Sequence, residues 1–325
     1  TILKERKRVI INFLIIIQEK MNYICLKLLK IIKNPYKIKY NWYKHFCIKK
    51  VSDKKYLEAF YSAAFGHKMD FDNPKTYNQK LQWLKLYYRN PKYVDLVDKY
   101  EVKKIVEDII GKEYLIDTYG IYSSFSEIDF SILPDQFVLK CTHDSGSVIL
   151  CKDKKKLNLE EAREKLEYRL FQNPFWDNRE WPYKNVVPRI ICEKYLKNDD
   201  ESEILDYKFM CFDGEPKCVF ICSNRLGKEL YVDFFDLEWN HLPFERHYHN
   251  SPEKIDPPKN LELMISLAKK LSKGMPHVRV DFYEVNGRVY FGELTFFPGS
   301  GAEEFTPDFY DKMLGDWITL PEKIV

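Results

Sequence analysis

The chain has 325 residues, 45% of them apolar and 16% aromatic, enough for two or three compact units and unlike collagen, low-complexity or wholly disordered sequences. Its net charge of +3 conceals a basic amino terminus: residues 1–50 carry thirteen Lys/Arg and two Asp/Glu, so the remaining body is mildly acidic. A nucleic-acid-binding domain needs its positive field on the folded body, which excludes nucleic acid as the partner. The eight cysteines show no CxxC pair or ribbon spacing and read as buried apolar residues of a reducing cytoplasm.

At the start, Lys4–Arg8 precedes the apolar run Val9–Ile17, and Leu26–Ile32 again mixes Lys with Leu and Ile. The first run is far shorter than the ~20 residues a spanning helix needs. Gln18, Glu19 and Lys20 follow it without a small-residue cleavage site, against a secretory signal. Residues 1–50 are therefore expected to lie on a membrane surface with Lys/Arg drawn to anionic lipid, the alternative being a helix packed on the body.

Residues 54–110 read as helical. Asn73-Pro74 is the expected cap of a helix over Thr76–Tyr88, and a second helix covers about 95–110 before Gly111. Phe137–Lys140 and Ser147–Cys151 flank a polar loop in a hairpin-like arrangement, and Asn158 opens a helix to about Phe171. Further strands are expected at Arg189–Glu193, Asp206–Phe212, Pro216–Cys222, Arg279–Tyr283 and Arg288–Glu293, with a helix over Leu261–Ser272. Two βαβ-like clusters, 136–196 and 204–301, behind a helical front end point to an α+β enzyme in two lobes around a cleft.

Chemistry concentrates in a few places. Asn286-Gly287 between β-rich runs signals a tight hairpin that brings Asp281 beside Glu293. Arg279 shares a face with Asp281, and Thr295 with Glu293, because side chains two apart on a strand point the same way. This set suits magnesium and phosphate, or alternatively a surface hairpin with an Arg–carboxylate salt bridge. Lys140 ends a strand before the small polar loop Thr142–Gly146, a way to offer one cation and backbone N–H groups to phosphates. Asp206 and Lys208 share a strand face and suit a ribose and a phosphate, while the main chain around Glu193–Leu196 can meet an adenine edge. The proline-rich aromatic stretch Asn173–Pro188 is either a lid and substrate platform or a loop pinned to the core by its tryptophans.

The order of these pieces resembles the ATP-grasp superfamily. Leu133–Cys151, Arg179–Lys184, Asp206–Phe212 and Arg279–Gly301 resemble more closely the TupA-like ATP-grasp family, associated with teichuronopeptide and capsular polysaccharide synthesis. The resemblance covers about residues 56–317. It implies an ATP-grasp fold of two α+β lobes clamping a nucleotide, with a helical N-terminal extension. The corresponding divisions are 1–50 (basic amphipathic segment), 51–135 (helical/α-β region), 136–203 (lid lobe) and 204–325 (metal-binding lobe).

By this resemblance Lys99 and Lys140 hold the nucleotide phosphates under a loop made by Ser145, Gly146 and Ser147. The main chain of Lys194, Tyr195 and Leu196 reads adenine, with Glu193 at its amino group, and Asp206 and Lys208 lie at the ribose and phosphates. Asp281 and Glu293 bind Mg2+, with Thr295 where many ATP-grasp enzymes carry Asn. Arg279, with Lys208 and Lys140, forms the catalytic set. The implied reaction is ATP-dependent ligation of a carboxylate to an amine through an acyl phosphate, catalysed in the cytoplasm or at the inner face of the plasma membrane. The implied partners are a uronic-acid-containing saccharide and an amino acid or amine, with Trp176, Trp181 and Tyr183 as sugar platform and Arg179 or Lys184 for the acid. The alternatives are a kinase acting on a glycan hydroxyl, a glycosyltransferase using Asp233 and Asp236 as a poor DxD substitute, and a nucleotide-binding scaffold without turnover.

Overall fold

The computed structural model describes residues 34–324 apart from 225, 226 and 228, so the runs Val9–Ile17 and Leu26–Ile32 lie outside the described residues. The chain divides into two compact units between Met69 and Asp70. In the first, α1 (Tyr36–Phe46) pairs with α2 (Asp53–Phe65). Tyr40 meets Tyr56 and Phe60 edge-on, with ring centroids 5.8 and 5.7 Å away.

The second unit opens with α3 (Tyr77–Tyr87), α4 (Tyr93–Val97) and α5 (Glu101–Ile110). Thr76, not Asn73, caps α3. Its hydroxyl accepts the Gln79 N–H at 3.3 Å, and Gln79 Oε1 accepts the Thr76 N–H at 3.1 Å. This reciprocal box satisfies two terminal donors at once, and so overrides the proline signal. The single helix expected over 95–110 is two helices, broken at Asp98. Asp98 Oδ1 accepts the N–H groups of Tyr100 (2.7 Å) and Glu101 (3.3 Å), ending one helix and starting the next. Lys99 is thereby left on the corner, its N–H bonded to the Thr142 carbonyl at 3.0 Å.

Next come β1 (Thr118–Tyr122), β2 (Phe137–Cys141), β3 (Ile149–Cys151), α6 (Leu159–Leu170), α7 (Phe175–Asn178) and β4 (Ile190–Lys194). The four strands form a sheet in the order β1-β4-β2-β3. Asn158 Oδ1 accepts the Glu161 N–H at 3.2 Å, and so caps α6 at its expected start. Phe137, Leu139 and Cys141 pack with Ala162 and Leu166 of α6 in one apolar cluster. The alternation of a strand then sends Lys140 to the opposite face.

The larger sheet uses β5 (Asp206–Phe212), β6 (Glu215–Ser223), β7 (Tyr231–Phe235) and β8 (His241–Leu242). After β9 (Glu245–Arg246) and α8 (Leu261–Ser272) come its last strands, β10 (His277–Val285) and β11 (Arg288–Thr295). Its order is β11-β10-β5-β6-β7-β8. α8 covers one face of β5, β6 and β10 with Met264, Leu267, Ala268 and Leu271. β12 (Phe305–Thr306) pairs with β9, and α9 (Phe309–Asp316) packs on α3.

Every pair of named strands is antiparallel, so the expected βαβ-like clusters are not parallel neighbours. β3 and β4 do run the same way, but β2 lies between them. Short apolar strands look alike in sequence whichever way they pair. The β10–β11 hairpin forms at the expected turn, with positive φ at Asn286 (51°) and Gly287 (74°), as a type I′ turn requires.

Candidate active site

Seven consecutive buried residues in β5 mean that both faces of this strand are covered. One face carries Phe209, which meets Phe282 of β10 at 6.0 Å. The other carries Asp206 and Lys208 and is extended by Arg279 and Asp281 of β10 and Glu293 and Thr295 of β11. The register makes this possible, pairing Asp281 with Lys208 on one side and with Glu293 on the other. A bulge beside the pair adds Gly292 to β11, where a Cβ would sit 3.2 Å from the Asp281 carbonyl oxygen.

Charges on this face neutralise one another at close range. Lys208 Nζ lies 2.5 Å from Asp281 Oδ2 and 3.3 Å from Asp206 Oδ2. Arg279 grips Asp281 with two bonds, Nε to Oδ1 and Nη2 to Oδ2, both 2.7 Å, and the same Nη2 donates to Glu293 Oε1 at 2.8 Å. Thr295 Oγ1 donates to Glu293 Oε1 at 3.2 Å. Burial pushes the Asp281 carboxyl up, but Arg279 and Lys208 outweigh it and hold the group below the usual carboxylate range. His277 continues the row at the buried end of β10, bonded to the Tyr77 hydroxyl (3.0 Å) and the Cys211 carbonyl (2.8 Å). Burial lowers its pKa to about 3, so it is neutral.

The smaller sheet contributes the lysines. Lys140 lies 2.5 Å from Glu193 Oε2, and Lys103 lies 2.6 Å from Glu193 Oε1. Glu193 is therefore gripped between two ammonium groups. Burial pushes it up, Lys140 and Lys103 pull it down, and the net effect keeps it charged. Lys99 donates to the Asp144 carbonyl oxygen. Its pKa is lowered by burial first and then by Lys140, with Glu293, Asp144 and Glu193 opposing. Lys99 thus sits within electrostatic reach of both sheets.

The loop after β2 is less open than expected. Ser147 is buried, accepting the Cys141 N–H at 2.8 Å and donating to Asp144 Oδ1 at 2.6 Å, so it braces the foot of the loop. Ser145 and Gly146 remain at the surface. In the adenine-edge segment, the Lys194 N–H is taken by the Asp117 carbonyl at 2.9 Å, while Tyr195 and Leu196 are half-buried beyond the strand.

The stretch 173–188 is ordered by α7 and a short 3-10 turn, Trp181–Asn185. Two residues proposed there as substrate contacts are internal. Arg179 is fully buried, its Nη1 donating to the Trp176 carbonyl at 3.1 Å and its guanidinium 5.0 Å from the Trp176 ring. Trp181 is buried and stacked on Tyr93, which stacks in turn on Phe296 at 3.8 Å. Their bulk is better spent filling the core than facing water. Trp176 and Tyr183 are half-buried and Lys184 is exposed, its Nζ lying 5.0 Å from the Phe175 ring. Glu180, passed over in sequence, is the carboxylate of this stretch within electrostatic reach of Arg279 and Glu293. Burial raises its pKa first, against Lys85, Ser300 and Arg279.

A second group missed in sequence lies on α3. Asn78, Gln82 and Lys85, at helical spacing i, i+4 and i+7, are buried polar residues on one face. Gln82 Nε2 donates to the carbonyls of Ser300 (2.9 Å) and Gly301 (2.7 Å), and Lys85 Nζ to those of Ser300 (2.7 Å) and Asn178 (3.0 Å). Asn78 Nδ2 donates to the Glu303 carbonyl at 2.9 Å. They hold a loop with left-handed φ at Gly299 (55°), Ser300 (55°) and Gly301 (60°). A Cβ on Gly301 would lie 2.8 Å from Leu81 Cβ. Ser300 Oγ donates to Glu180 Oε1 at 2.5 Å and accepts from Asn178 Nδ2 at 2.8 Å, joining this loop to the 173–188 segment. The signal that could have found α3 is a helix with polar residues where an apolar stripe belongs.

Asp281, Glu293 and Thr295 supply hard oxygen donors of the kind magnesium takes. One oxygen from each carboxylate converges on Arg279 Nη2, so the pair already shares a cation. Among the described residues no group of three or more His, Cys, Asp or Glu is placed to hold a metal ion. Two carboxylates with water and phosphate oxygens are how magnesium is usually held beside nucleotides, so the residues present fit that ion. Asp233, by contrast, is buried and bonded to His241 Nε2 at 3.0 Å and to the Ser251 N–H, a brace rather than a metal ligand.

A search of curated proteins returns no match. Among solved structures, the chain is similar to the D-alanine–D-alanine ligase of Bacillus anthracis complexed with ATP, with 17% identity over 74% of this chain and 66% of that one (TM-score 0.40). It is also similar to the Helicobacter pylori D-alanine–D-alanine ligase, with 16% identity over 76% and 70% of the two chains (TM-score 0.42). For an L-amino acid ligase from Bacillus licheniformis the values are 15% identity, 64% and 44% (TM-score 0.40). The chain thus spans just under two thirds of the first and less than half of the third. The family model described as TupA-like ATPgrasp matches residues 79–319, a span that contains the four-stranded and the six-stranded sheet. The chain belongs to the TupA-like ATP-grasp family.

Proposed function

We propose that this chain is an ATP-dependent carboxylate–amine ligase, using Mg2+, that amidates a uronic acid of a surface polysaccharide or its precursor with an amino acid or amine. The observation that carries the ligase reading is the convergence of Asp281 and Glu293 on Arg279 Nη2, with Lys99 in the field of Glu293 from the lysine-rich side. The polysaccharide setting rests on the family resemblance, and the half-buried Trp176 and Tyr183 are the side chains we assign to the sugar.

Lys99 and Lys140 would hold the nucleotide phosphates beneath Ser145 and Gly146. The main chain of Tyr195 and Leu196 would meet adenine, and Asp206 the ribose. Asp281, Glu293 and Thr295 would hold magnesium. The nucleotide would supply its γ-phosphoryl group, with ADP as the leaving group, and the ion would neutralise the phosphate charge; the unreactive carboxylate would become an acyl phosphate, whose leaving group is phosphate rather than oxide.

The chain's own groups then do three things. Arg279, fixed by two bonds to Asp281, has Nη1 left as the donor for an oxyanion in the tetrahedral intermediate. Lys208, held by Asp206 and Asp281, would add its positive charge beside the migrating phosphoryl group. Glu180, oriented by Ser300, takes the proton that an ammonium must lose before it can attack. Residues 1–50 would bring the enzyme to the inner face of the plasma membrane, and no helix among the described residues is long and apolar enough to cross one.

Product analysis tests the reaction class. Full-length protein with Mg-ATP, a uronic acid and an amino acid should release ADP, free phosphate and an amide. A stable phosphorylated saccharide with no free phosphate would replace the ligase by a kinase.

A further inference from the structure

Helix α1 has two unlike sides. Tyr40 faces α2 through its contacts with Tyr56 and Phe60. At about 100° per residue, Ile38, Trp42 and Phe46 fall together on the opposite side. They are 55%, 57% and 70% exposed, and the Trp42 and Phe46 rings lie 4.8 Å apart. No residue of this helix is buried.

Three large apolar side chains in one exposed row form a stripe that water does not favour. What surrounds them selects the occupant. Residues 34–52 contain Lys37, Lys39, Lys44, Lys49 and Lys50 and no Asp or Glu. Lys37, Lys39, Lys49 and Lys50 are exposed, and Lys39 Nζ lies 5.6 Å from the Tyr43 ring on the helix surface. A protein partner of ordinary composition does not call for an apolar row on a helix that carries lysines and no carboxylate. The surface of an anionic bilayer does: aromatic and aliphatic side chains sink into the headgroup boundary while lysines pair with lipid phosphates and carboxylates. Trp is also the residue that prefers that depth.

We infer that the Ile38–Trp42–Phe46 face of α1 docks on an anionic membrane surface, with Lys37 and Lys39 beside it. This rests on the membrane reading of residues 1–50 and narrows it to one helix face.

The test uses the full chain and sedimentation with phosphatidylcholine vesicles, with and without phosphatidylserine. Wild type should bind only the phosphatidylserine-containing vesicles, and more weakly as salt rises. A triple Ile38→Ser/Trp42→Ser/Phe46→Ser variant should bind roughly tenfold or more weakly while keeping its ATPase activity. A Lys37→Gln/Lys39→Gln variant should lose about tenfold of its preference for the anionic vesicles. A triple variant that binds like wild type overturns the assignment of this face and leaves the broader membrane reading standing. Wild type that ignores anionic vesicles overturns both. A triple variant that converts a dimer to a monomer in solution assigns the face to a second copy, and so overturns the lipid assignment.

Discussion

The two sheets of the candidate site carry opposite imbalances of charge. On the larger one, three carboxylates (Asp206, Asp281, Glu293) face two cations, Lys208 and Arg279. On the smaller one, Lys99, Lys103, Lys140 and Arg169 surround two carboxylates, Glu193 and Asp144. One side is short of positive charge and the other has it in excess. Among largely buried side chains such imbalances are costly unless a ligand completes them. On the function proposed above, a divalent cation would complete the first and a polyphosphate the second, so the same ligand pair would answer both halves. A single chain segment could not do this. The larger sheet fixes the carboxylates by strand register, while the lysines arrive from a helix corner and a strand end.

Separating the halves by mutation gives the sharpest tests. Glu293→Gln removes one negative charge from a partly exposed side chain at the proposed metal position. Turnover should fall by about a thousandfold, with thermal unfolding near that of wild type. A rate within a few-fold of wild type would break the metal half of the comparison. His277 tests how firmly that half is built. It is neutral in the fold down to about pH 3, whereas the unfolded chain takes up a proton at the ordinary histidine value of 6.5. The unfolded state therefore binds more protons between these values, and stability present above 6.5 is lost as the pH falls through the window. By about pH 4.5 the loss should reach roughly 3 kcal/mol, read by urea unfolding, and His277→Gln should flatten that slope. An equal slope in the variant would remove His277 as the cause. Lys140→Gln touches only the phosphate half. The KM for ATP should rise about ten- to a hundredfold with a smaller change in kcat, the loss expected for one bond to a charged group. A fall in kcat alone would move Lys140 out of the phosphate site.

How much of this was legible in sequence follows from the kind of element involved. Asp281 with Arg279, and Glu293 with Thr295, could each be placed on one face because a strand repeats every two residues and Asn286-Gly287 marks the hairpin, but the turn alone would set Asp281 opposite Gly292, and the bulge that brings Glu293 level with it carries no sequence signal. The start of α6 at Asn158 and the limits of α8 were legible for similar local reasons. In the 173–188 stretch no such period exists. Arg179 and Trp181 look like ligand-facing residues, yet packing on Phe175 and Tyr93 takes them inside, and Glu180 between them comes within electrostatic reach of Arg279 and Glu293. The buried polar face of α3 was also hidden, because Asn78, Gln82 and Lys85 find their partners more than 90 residues away. Strand direction failed for a third reason: apolar content reports burial, not which neighbour a strand pairs with.

Calorimetric titration of ATP into the full chain, with and without Mg2+, tests the central claim most directly. Magnesium should strengthen binding, and Glu293→Gln should reduce it to the level seen with a chelator. Equal affinity under all three conditions would show that no cation joins the two halves of the candidate site, and would contradict the account.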